Sequence, residues 1–136
     1  MTLEKHGSCL CGETHLHATV DNTNISACHC SMCRKWTGGP LLVVHCSQPP
    51  VVEGRAPSVY DSSDWAQRGF CGRCGTHLYY RLKANDFYAV PVGLLDGDEA
   101  WEFDLQIFVE EKPAWYCFAN QTTELTGQQA FEQLSD

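Results

Sequence analysis

Polar and apolar residues alternate through residues 13–20 (ETHLHATV), the period-two pattern of a half-buried strand. A β-branched and leucine-rich run at 40–46 (PLLVVHC) predicts a buried strand, and 76–82 (THLYYRL) and 86–95 (DFYAVPVGLL) predict two more. Asp96-Gly97-Asp98 is a turn signal leading to another apolar stretch at 101–109 (WEFDLQIFV). Residues 113–118 (PAWYCF) predict a short aromatic strand or an extended edge. Helix is scarce. Residues 31–36 (SMCRKW) predict one turn, and 126–134 (TGQQAFEQL) predict a short helix opened by a T-x-x-Q capping box from Thr126 to Gln129. The predicted fold class is mainly β: many short strands in a folded-over sheet, with no βαβ alternation. No repeat, low-complexity segment or linker interrupts the chain, so residues 1–136 are expected to form a single domain.

Composition narrows the function classes. At 136 residues and 43% hydrophobic, the chain is long enough for one real core. A net charge of −8 argues against nucleic-acid partners, whose binding depends on neutralising phosphates. No stretch approaches the roughly 20 apolar residues of a membrane span, and the opening MTLEKHGSCL lacks the apolar run of a signal peptide. The expectation is a cytoplasmic protein without membrane or nucleic-acid partners.

Nine cysteines change the picture most. In a reducing compartment, clustered thiols indicate metal ligands or redox groups rather than disulfides. Seven fall into three groups: Cys9 and Cys11, then Cys28, Cys30 and Cys33, then Cys71 and Cys74. On a strand, residues i and i+2 share a face, so C-x-C can offer both sulfurs to one ion. C-x-x-C does so through a tight turn, for which Gly75 supplies conformational freedom; Gly7 and Gly12 bracket the first pair in a similar way. Zn²⁺ suits such donors. Cys9, Cys11, Cys71 and Cys74 make a closed four-thiol set, which leaves Cys28, Cys30 and Cys33 with an open fourth position. Spacing alone leaves other groupings open. His29 could replace a cysteine, although in an extended segment its side chain should point away from those of its neighbours. Disulfides and a redox-active Cys71/Cys74 pair are the alternatives to metal.

Four segments, GSCLCG, CHCSMCRKWTGG, RGFCGRCGTHLYY and IFVEEKPAW, together resemble the glutathione-dependent formaldehyde-activating family, also called the CENP-V/GFA domain family, over roughly residues 5–116. The resemblance implies an Mss4-like fold of small antiparallel sheets. It implies two Zn²⁺ ions, with Cys9, Cys11, Cys71 and Cys74 structural and Cys28, Cys30 and Cys33 catalytic. It implies carbon–sulfur lyase chemistry on a small thiol or thiol–aldehyde adduct. The family's named reaction joins formaldehyde to glutathione as S-hydroxymethylglutathione. The competing readings are a non-catalytic zinc scaffold and a protein-interaction module.

Around the three-thiol group, Arg34 and Lys35 could attract the carboxylates of a peptide-like thiol, or simply offset the anionic site. Thr37, Gly38 and Gly39 could form a close-approach loop. Trp36, Phe70 and Trp115 could wall a pocket or pack in the core. Arg68 and Lys112 are further candidates for anion contact. Cys46 and Cys117 lie in apolar runs and read as buried small hydrophobes. His15 and His17 have two-nitrogen metal spacing on one strand face but read as a surface or packed pair, and His45 and His77 read as structural.

Overall fold

The computed structural model describes residues 2–134. Along those residues run β1 (Leu3–Ser8), β2 (Thr14–Val20), β3 (Asn24–Cys28), α1 (Ser31–Thr37), β4 (Leu41–Cys46), β5 (Val51–Gly54), β6 (Ser58–Asp61), β7 (Ala66–Phe70), β8 (His77–Leu82), β9 (Phe87–Pro91), β10 (Glu102–Ile107), β11 (Thr123–Leu125) and α2 (Gly127–Leu134). The fold is mostly β, as the apolar patterning predicts. None of the described helices is long and apolar enough to cross a membrane. The chain divides into two compact units. One comprises the residues up to Thr23 with Val43–Ala100; the other comprises Asn24–Leu42 with the residues from Trp101 on.

In the first unit, β1, β2 and β5 form an antiparallel sheet in the order β1-β2-β5. The predicted alternation of β2 is visible. Thr14, Leu16, Ala18 and Val20 are buried, while His15 and His17 face solvent. His17 lies directly across from His6, with the two rings stacked, and its Nε2 is 3.3 Å from Glu53. The second antiparallel run is β4-β9-β8-β7-β6, in which β4 joins through Val43–Cys46. Fully buried Leu16, Val20, Val44, Cys46, Leu78 and Val90 are core residues of this unit. Gly7 is obligatory for a different reason from turn flexibility: a Cβ there would collide with the Leu94 carbonyl, where β1 bridges to Leu95. The strand expected over 86–95 stops at Pro91, which has no N–H to continue a ladder, and Val92–Leu94 turn into a 3₁₀ helix.

In the second unit, β10 lies between β3 and β11 and is parallel to both, so the sheets are mixed rather than wholly antiparallel. Helix α1 runs for seven residues, longer than the single turn expected. Helix α2 opens with the capping box as predicted. Gln129 N–H donates to Thr126 Oγ1 at 3.2 Å, and Thr126 N–H donates to Gln129 Oε1 at 2.8 Å. Residues 113–118 do not form a strand. Pro113 is followed by a turn at Ala114 and Trp115, and the rest is irregular. Trp115 and Cys117 are exposed there, so neither is the core residue its apolar surroundings suggested.

Candidate metal centres

The four-thiol group is assembled by two matching knuckles in the first unit. Past the end of β1, Gly12 N–H donates to Cys9 O, and Cys9 N–H to Thr14 O, each at 3.0 Å. Past the end of β7, Gly75 N–H donates to Cys71 O at 2.8 Å and Cys71 N–H to Thr76 O at 2.9 Å. Gly12 and Gly75 both have positive φ, +78° and +80°, which closes each knuckle without strain. The C-x-C pair therefore sits in a turn, not on a strand face. It still points both sulfurs one way, leaving Leu10 between them 91% exposed. All four Sγ atoms lie within 4.8 Å of one another. Cys9 to Cys11 is 3.4 Å and Cys11 to Cys71 is 3.8 Å. These lie at or just under the ~3.8 Å edge of a tetrahedron with ~2.3 Å zinc–sulfur bonds. The surrounding donors favour thiolate at Cys74 and Cys9, whereas at Cys11 the Glu13 N–H is outweighed by burial and the neighbouring sulfurs, which push it up to about 11. Hydrogen bonds from the Thr76 hydroxyl, then the Thr76 backbone, lower Cys74 to about 5. Burial pushes Cys9 up, but the Thr14 N–H on its sulfur and its cysteine neighbours bring it below the ordinary thiol value. Arg73 and Glu13 pair at 2.8 Å beside the group.

The three-thiol group lies wholly in the second unit, where β3 ends and α1 begins. Cys28 is the last residue of β3, Cys30 is the N-cap of α1 and Cys33 lies in its first turn. Cys30 Sγ accepts from Cys33 N–H at 3.3 Å, so the cap itself folds one sulfur towards another. The three Sγ atoms are buried and lie within 4.8 Å of one another. Hydrogen bonds to Cys30 and Cys33, then burial, push the Cys28 thiol well above its ordinary value. Three packed thiols of this kind ionise together only with a cation among them. Sulfur donors at this spacing fit a soft or borderline divalent ion.

His29 does point away from its cysteine neighbours. It is fully buried, with Nδ1 2.6 Å from the Tyr116 hydroxyl and Nε2 2.8 Å from Gln106 Oε1. Burial lowers its pKa, opposed by the Gln106 hydrogen bond. Neither Tyr116 nor Gln106 stood out in the sequence. They lie 87 and 77 residues from His29 and carry no local pattern. Arg34 is half-buried, and its Nε donates to His29 O at 2.9 Å, so its charge is tethered beside the thiols. Lys35 is exposed. Lys112 donates to Pro113 O and lies 5.2 Å above the Tyr116 ring.

The other candidates are distributed differently. Gly38 has φ +87° and ends α1 as its left-handed cap, donating to Arg34 O at 2.8 Å. Nothing lies within 4 Å of where a Cβ would stand on Gly38 or Gly39, so the space beside the pair is open. Trp36 is half-buried in the second unit and Phe70 in the first, so the three expected wall residues do not share one unit. Arg68 is a buried residue of the first unit, held by Ser62 and lying over Tyr80. Cys46 is fully buried, and burial raises its thiol to about 12, in keeping with an inert core residue.

Fold and thiols together define a small β-rich protein with two cysteine groups able to hold metal ions. The family model for glutathione-dependent formaldehyde-activating enzymes matches residues 4–111, and the chain belongs to that family. An uncharacterised lyase of Schizosaccharomyces pombe is 36% identical over 133 residues, covering 96% of this chain and 97% of that protein. A Podospora anserina protein named for glutathione-dependent formaldehyde activation is 32% identical over 104 residues, covering 69% of this chain and 48% of that protein. A crystal structure of a Rhodobacter sphaeroides protein shares the fold at a TM-score of 0.59 and 22% identity, over 70% of this chain and 91% of that one.

Proposed function

We propose that this chain is a zinc-dependent carbon–sulfur lyase acting on a small thiol or its aldehyde adduct, like an S-hydroxymethylglutathione synthase. Cys28, Cys30 and Cys33 would hold the catalytic ion, and Cys9, Cys11, Cys71 and Cys74 a structural one. The observation that carries this reading is the asymmetry between the groups. Four sulfurs lie within 4.8 Å of one another in one, enough donors for a closed site; in the other, among the described residues, no fourth Cys, His, Asp or Glu donor joins the three. Family membership and the lyase-named relative support the reaction class.

When bound there, zinc would supply Lewis acidity and favour the thiolate form of an incoming thiol. The chain's own residues would do the rest. Cys28, Cys30 and Cys33 fix the position at which the thiol arrives. Arg34, tethered through Nε to the backbone of His29, attracts the carboxylates of a peptide-like thiol such as glutathione. In the synthetic direction a sulfur–carbon bond forms, the carbonyl π bond opens, and the thiol proton ends on the new hydroxyl. Cleavage of the adduct reverses each change.

The uncatalysed addition also proceeds, so the test is rate rather than yield. Exchange NMR of glutathione with formaldehyde should show faster approach to an unchanged equilibrium with the zinc-loaded protein and no acceleration with Cys30→Ser. If the zinc-loaded protein neither speeds exchange with glutathione, cysteine or related thiols nor binds any of them, the enzyme reading fails and the scaffold reading replaces it.

A further inference from the structure

Between two of the proposed ligands the chain places a histidine that cannot itself be a third. The direction of its hydrogen bonds follows from its partners. Gln106 Nε2 donates to Thr122 Oγ1 at 2.8 Å, so the amide oxygen of Gln106 faces His29. His29 Nε2–H therefore donates to that oxygen, and the Nδ1 lone pair accepts the Tyr116 hydroxyl proton. The ring is also flanked by Tyr116 at 5.5 Å and Phe118 at 6.0 Å between centroids. The backbone of the same residue is held as well. His29 N–H donates to Ile107 O at 3.1 Å, and His29 O accepts from Arg34 Nε at 2.9 Å. Ring and backbone are thus fastened at four points, on β10, on the segment after Pro113 and on α1. Two residues further on, Ser31 N–H donates to Glu111 Oε1 at 3.0 Å.

We infer that His29 is the positioning residue of the three-thiol centre. Locked by Gln106 and Tyr116, it fixes the backbone between Cys28 and Cys30 and thereby the spacing of their sulfurs. Its imidazole supplies no ligand to the ion; it acts through the two cysteines beside it. Tyr116 contributes its hydroxyl to this lock, which gives the irregular aromatic segment a task that its exposed neighbours Trp115 and Cys117 do not share. The inference rests on the reading that Cys28, Cys30 and Cys33 hold a metal ion.

The test uses full-length protein with zinc in the four-thiol centre and cobalt(II) in the three-thiol centre. Cobalt reports ligand geometry through its visible absorption bands, independently of any catalysis. Tyr116→Phe removes one hydroxyl and keeps the ring; His29→Gln keeps one polar contact and loses the other. Both should shift the cobalt bands and speed capture of that ion by a chelator by about tenfold, matching the low end of the affinity lost when residues supporting metal ligands are removed. Zinc release from the four-thiol centre should stay at the wild-type rate. A merely structural role would lower the melting temperature without moving the bands. Wild-type bands and release rates in both variants, or equal acceleration at both centres, would overturn the inference while leaving the metal reading intact. Failure of the wild type to take up more metal than Cys30→Ser would remove both.

Discussion

Single residues in this chain are specified by what surrounds them more than by their type. His45 shows this in a group with no proposed chemistry. Its ring packs edge-on against Phe87 at 4.8 Å, and burial holds its pKa below the ordinary value, opposed by the Asp21 carboxylate. A histidine depressed in the folded state takes up its proton first in the unfolded chain. Its contribution is therefore fully present above the ordinary histidine value of ~6.5 and is lost as pH falls below it. His29 and His77, also lowered chiefly by burial, add slopes of the same sign. The melting temperature should fall as pH is lowered from 7.5 to 5.5, and His45→Leu should fall less steeply than the wild type. Parallel slopes in the two proteins would show that His45 does not contribute. The same contrast explains why Cys46 and Cys117, alike in sequence context, part company. Cys46 lies on a buried strand, whereas Cys117 follows Pro113 and a turn that leave its side chain in solvent.

At the scale of elements, what was legible in the sequence is what local periodicity encodes. Strand β2 could be read because one face is buried and the other wet. The capping box of α2 could be read because both partners lie within three residues. Strands β5 and β6 could not. They are four residues each, lie at the ends of their sheet runs, and bury little, so no alternation marks them. Strand β1 was missed although its place is tightly determined, because the determinant is the close approach of Gly7 to the Leu94 carbonyl, 87 residues away. Gly7→Ala should therefore destabilise the protein by about 2 kcal/mol, in the range of overpacked sites, readable as a lowered urea midpoint. An unchanged midpoint would mean that β1 can shift away from Leu94 without loss. The three-thiol cluster was legible because its cysteines lie within six residues, on a strand end, a helix N-cap and the first turn of that helix. The partners of His29 were not, since only the tertiary fold brings β10 and Tyr116 to it.

Over the whole molecule, the four-thiol group joins segments 60 residues apart, from Cys11 to Cys71, whereas the three-thiol group closes within six residues of chain. Resemblance to the family implied this division, and the geometry brings each set of sulfurs together. A metal that ties distant segments contributes folding free energy directly, whereas one held locally can be lost with the rest of the fold in place. The most direct test is zinc content, measured together with thermal melting, in the wild type and in the Cys30→Ser and Cys74→Ser variants, all purified without added metal. The wild type should carry about two zinc ions per chain. Cys30→Ser should carry about one and melt close to the wild type, while Cys74→Ser should lose soluble yield and cooperative melting. One ion or none in the wild type with its thiols oxidised to disulfides, or equal or reversed damage in the two variants, would contradict the division of the seven cysteines into a structural and a working centre.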